Sequence, residues 1–91
     1  MRDVKALLNS LVDVDRDTLI SVLSMEVQTA AKLAMSGHQR TAWQRAKRRS
    51  TVEHAARLAH ILAYFRDGET PQGMSEDDRR LCAGLAKKRS M

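Results

Sequence analysis

The sequence has little from which to build an aromatic core or an active site. One tryptophan, one tyrosine and one phenylalanine are its whole aromatic content, so the interior must be filled by Leu, Val, Ile, Met and alanine. The single cysteine, Cys82, excludes an internal disulfide and a cysteine-rich zinc site. It sits beside Leu81 on an apolar helix face, where a small buried hydrophobe is expected. One proline and four glycines leave few positions at which a helix has to stop. The opening stretch MRDVKALLNSLVDVDRD is interrupted by Asp3 and Asp13. It therefore lacks a signal-peptide core and the ~18 uncharged apolar residues of a membrane span. A cytoplasmic protein with no membrane segment is expected.

The residues that could carry catalysis are equally sparse. His54 and His60 stand six apart, about 240° around a helix, and cannot hold one metal from a common face. Glu53 and His60 do share a face, but no nucleophile and no glycine-rich phosphate loop accompanies them. A solvated stripe with an ion pair from Glu53 to Arg57 is the simpler reading. Glu76, Asp77 and Asp78 are consecutive, point in different directions on a helix and suit its positive end. They lack the alternation of a calcium loop. A non-enzymatic protein with no metal, cofactor or catalytic residue is expected.

What is present is helical periodicity. Val4, Leu7, Leu8, Leu11 and Val12 make one apolar face over residues 3–12. Asp13 or Asp15 can cap a second helix, residues 16–36, whose apolar positions nearly encircle it and which should lie centrally. Gly37 supplies a terminator. A third, strongly polar helix over 39–49 follows, and the Ser50-x-x-Glu53 pattern matches the capping box that opens a fourth, residues 51–66, closed by Gly68. After the turn GETPQGM, Ser75 can cap a last helix over 76–89. Alanines at four-residue spacing, Ala30 with Ala34 and Ala55 with Ala59 and Ala63, allow the second and fourth helices to pack closely. The expectation is one all-α domain over residues 1–91, a bundle of four to five helices. With 91 residues and a thin core, self-association is a natural supplement.

Charge is the most distinctive property. The net +5 is uneven: residues 1–26 carry −2, residues 67–91 are balanced, and residues 27–66 set eight basic residues against Glu53 alone for +7. Its densest part is HQRTAWQRAKRRS, which contains no acid. As a helix it would align Arg40, Gln44, Lys47 and Arg48 on adjoining turns with Arg45 and Arg49 alongside, held to the bundle by Trp43. Such a surface neutralises phosphates without reading bases, while arginine and glutamine are also side chains that pair with guanine and adenine edges.

The longer stretch KLAMSGHQRTAWQRAKRR, with a helix ending at Gly37, a short turn and Trp43 six residues later, resembles the helix-turn-helix of small repressors. That resemblance implies a recognition helix over the basic residues. Leu33 departs from it, standing where a small alanine is usual, and the preceding helix is longer than the pattern has. The function expected from the sequence is a small basic helical module, a regulator docking residues 40–49 on nucleic acid or a nucleoprotein. Lys87, Lys88 and Arg89 would be a second contact. The alternative is an inhibitor or adaptor of the kind phages and mobile elements encode, setting the same cations and the Trp43 anchor against an acidic protein surface.

Overall fold

A computed structural model of the chain describes residues 3–35 and 42–90, with the side chains of 42–44 and 46–48 outside the description. The described residues form four α-helices and no strand: α1 Val4–Asn9, α2 Arg16–Met35, α3 Ala42–Asp67 and α4 Glu76–Arg89. Three of the helix boundaries show their local cause plainly. Asp15 caps α2, accepting hydrogen bonds from the Thr18 backbone amide at 3.3 Å and from the Thr18 hydroxyl. Those bonds hold its carboxyl below the usual carboxylate range. Ser75 caps α4 by accepting the Asp78 amide at 3.2 Å. Gly68, at φ +75°, ends α3 with its amide bonded to the Tyr64 carbonyl at 3.0 Å, a left-handed position where a side chain would be strained.

The largest departure from expectation is α3. The sequence suggested two helices, 39–49 and 51–66, divided at Ser50, whereas the backbone is helical without interruption from Ala42 to Asp67. A capping box acts only where the residue before it is non-helical. No glycine or proline lies between Gly37 and Gly68, and extending an existing helix costs far less than nucleating a new one. Ser50 and Glu53 are consequently mid-helix residues, both exposed. At the chain's start the change runs the other way. The expected helix 3–12 stops at Asn9, with Ser10 capping back onto the Leu7 carbonyl at 2.6 Å. The second helix ends at Met35 within the described residues, and α4 has the expected bounds.

The core is an antiparallel α2/α3 hairpin clasped at one end by α1 and α4. Arg16, at the start of α2, donates to the carbonyls of Phe65 at 3.5 Å and Arg66 at 3.0 Å, the last turn of α3. These bonds fix the antiparallel sense and satisfy carbonyls that the helix leaves unpaired. The inward residues are Leu19, Leu23, Ala30 and Ala34 on α2 and Thr51, Leu58 and Ile61 on α3. They run along most of both helices, so the two lie side by side, unlike the steep crossing of a helix-turn-helix. The expected close pairing of the second helix with residues 51–66 is present, although Ala59 faces outward.

Among the described residues the large buried side chains gather at one end, where Val4, Leu7, Leu8 and Leu11 of the α1 segment and Cys82 and Leu85 of α4 close over Leu19, Leu23, Leu58 and Ile61. Toward the other end the fully buried residues among those described are small: Ala30, Ala34 and Thr51. There Met25, Met35 and Val52 are exposed, at 67%, 81% and 48%. The second helix is thus covered on one side rather than all round. The molecule is correspondingly long, 49 × 24 × 21 Å, and α3 alone, at 26 residues, spans about 39 Å of it.

One ionic contact ties the clasp to the hairpin. Asp78, almost wholly buried, accepts a two-pronged pair of hydrogen bonds from Arg57, 3.0 Å from Nε and 2.7 Å from Nη2. This corrects two sequence expectations. Arg57 does not pair with Glu53 four residues earlier, and Asp78 is not merely one of three acids favouring a helix end. A bidentate carboxylate partner 21 residues away offers better geometry than an exposed one-turn pair, which contributes a few tenths of a kcal/mol.

Candidate nucleic-acid interface

The basic stretch enters the structure as the first turns of α3, which determines its electrostatics. A helix N-terminus carries a partial positive charge and is stabilised by acids. α2 has Asp17 in its first turn and α4 has Glu76, Asp77 and Asp78, but α3 has none. Arg45, the fourth residue of α3, therefore lies toward the end of the dipole that repels it, and Arg49 stands one turn further along the same face. Like charges at that spacing destabilise a helix further. Both are exposed, and among the described residues neither makes a hydrogen bond or ion pair.

Trp43, Gln44, Lys47 and Arg48 fall on the helical backbone of α3, with side chains outside the described residues; Arg40 and Gly37 lie outside them altogether. The cations just beyond this stretch do not join it. Arg57 is held by Asp78, and Arg66 is paired with Asp67 at 3.0 Å. His54 adds no positive charge near neutral pH, because partial burial and the Arg57 guanidinium push its pKa below the ordinary value.

The three C-terminal cations of α4 divide. Lys87 and Lys88 are exposed, at the end of a helix whose dipole favours them. Arg89 is turned inward, and its Nη1 donates to the carbonyls of Leu11 at 2.8 Å and Val14 at 2.5 Å. It pins the α1–α2 turn onto α4 and is engaged in the fold rather than offered to a partner. Arg89→Ala is expected to reduce stability by about 1–2 kcal/mol, the worth of charge-assisted bonds at a partly exposed site, with little effect on oligonucleotide affinity. Paired urea unfolding and anisotropy titrations check both parts.

The remaining chemistry is structural. Cys82 is fully buried, and the loss of solvation raises its thiol pKa to about 12, which keeps it protonated. Among the described residues no group of histidines, cysteines and acids is arranged to hold a metal ion, and no helix is long and apolar enough to cross a membrane. No family model matches the chain, and no curated protein and no solved structure matches it either.

Proposed function

We propose that this chain is a nucleic-acid-binding module that lays the N-terminal turns of α3 along the phosphate backbone. The observation that carries the reading is the exposed Arg45–Arg49 pair at a helix end with no acid of its own. Those charges work against the helix that bears them, and a bound polyanion removes the conflict while releasing counterions. Continuity of α3 also supports it, because the cations sit on a rod anchored at its far end by Leu58, Ile61 and the Asp78 pair. Arg40, Gln44, Lys47 and Arg48 extend the contact along the same segment, with Trp43 as its apolar anchor. Lys87 and Lys88 supply the second contact without Arg89. Two copies joined through the uncovered half of the hairpin, at Met25, Met35 and Val52, form the self-associated state.

The test is a salt series. Anisotropy of a labelled duplex and a labelled single strand is followed between 50 and 200 mM KCl. Four or five phosphate contacts predict a log–log slope of about −4 and an affinity loss on the order of a hundredfold across that range. A slope near zero, or no binding at 50 mM, rejects the reading.

A further inference from the structure

Away from the basic end of α3, α1 and α4 leave a cleft of about 130 Å³ between them. Its floor is Leu8, Leu81 and Leu85, and its rim is Lys5, Arg80 and Lys88, with no carboxylate among the lining residues. The volume is well under the ~300–1,000 Å³ of sites that enclose a whole small ligand. It suits one inserted side chain. Gly84, also lining the cleft, provides a separate observation. It lies in mid-helix at ordinary φ, and a Cβ built there meets nothing within 4 Å. Alanine would thus fit without strain and favour the helix. Among the described residues nothing requires glycine at this position, whereas close approach of another backbone would.

We infer that the α1/α4 cleft is a docking groove for an acidic polypeptide segment that inserts one aliphatic or aromatic side chain between Leu8, Leu81 and Leu85 while its flanking carboxylates meet Lys5, Arg80 and Lys88. Charge complementarity selects an anionic occupant, and the apolar floor selects polypeptide over nucleic acid. Phosphates gain nothing from leucines, and no aromatic ring lines the cleft on which a base could stack. Arg80 is free enough to serve, since its contact with Glu76 is a 3.5 Å surface pair. The groove shares Lys88 with the second nucleic-acid contact proposed above but none of the α3 cations, so it stands or falls separately from the α3 contact. If both hold, the chain links nucleic acid to an acidic protein.

The test is selection of displayed random twelve-residue peptides against the full chain, followed by titration of the enriched peptides as synthetic labelled probes. Peptides pairing an apolar residue with neighbouring acids are expected. Lys5→Glu/Lys88→Glu should weaken them by about tenfold or more, as removal of paired charges at a contact does. Gly84→Leu should abolish binding by filling the groove. Gly84→Ala keeps the test valid if the leucine variant fails to fold: it should raise the melting midpoint by about 2–6 °C yet weaken the peptides. Arg45→Glu/Arg49→Glu should leave them unaffected, which separates failure here from failure of the nucleic-acid reading. Overturning results are an absence of enriched peptides, peptides without the acidic–apolar pairing, insensitivity to Gly84→Ala, or amide shifts at Leu8, Leu81 and Leu85 showing an oligonucleotide on the apolar floor.

Discussion

Arg57→Ala is expected to lower the unfolding free energy at pH 7 by about 2–3 kcal/mol, a large share of the ~5 kcal/mol available to a domain of this size. The figure lies below the ~3–5 kcal/mol for breaking a fully buried pair because the Arg57 side chain is 46% exposed and partly screened. The two partners should not be equivalent. Losing Arg57 strands a carboxylate that is 2% exposed, while losing Asp78 leaves a guanidinium that can turn to water. Asp78→Asn is therefore the milder change. The pH dependence follows from the same geometry. Hydrogen bonds from Arg57 hold the Asp78 carboxyl below its usual range. Its stabilising contribution is complete above the unfolded carboxylate value of about 4 and disappears as pH falls through the lowered folded value. In Arg57→Ala burial raises that pKa instead, so the deficit relative to the parent should shrink in acid. Urea unfolding of the three proteins at pH 7 and pH 3 measures all of this. Equal losses for the two variants, or a deficit unchanged at pH 3, would contradict the buried-pair account.

The second large effect concerns binding. Arg45→Glu/Arg49→Glu should reduce oligonucleotide affinity by roughly a hundredfold near 100 mM salt and flatten the salt slope by about two. Arg45→Glu alone should also weaken binding yet be more stable than the parent, since an acid replaces a cation toward the positive end of α3 and the like-charge pair at positions 45 and 49 becomes an opposite-charge one. Opposite signs for binding and stability distinguish a contact surface from a structural one. A variant that binds normally, or that merely unfolds, contradicts the assignment. Gly84→Ala carries the same signature at the other proposed surface. Sites kept less stable than the fold allows are where a partner's contribution is to be sought.

Much of the architecture was legible because it is local. The α1 face, the Asp15 and Ser75 caps, Gly68 and the bounds of α4 follow from spacing and end chemistry within a few residues. The unbroken α3 was hidden by a pattern, Ser50-x-x-Glu53, that is permissive rather than decisive without a non-helical residue before it. The Arg57–Asp78 contact joins residues far apart in sequence, but it left a trace. Asp78 shares one helical face with Leu81, Cys82 and Leu85, and a charge on an apolar stripe needs a partner. Nothing local marks Arg89 as different from Lys87 and Lys88; only the fold brings the Leu11 and Val14 carbonyls to it. Of the basic segment, composition and charge were plain from the start, while its place at the head of a long rod required the backbone.

The sole thiol gives this fold a built-in clock. Cys82 is sealed beneath α1 and stays protonated at neutral pH, so an alkylating reagent must wait for the clasp to lift. Labelling followed by mass spectrometry under native conditions would time that event, and Arg57→Ala and Arg89→Ala should hasten it by weakening the two latches that hold α4 in place.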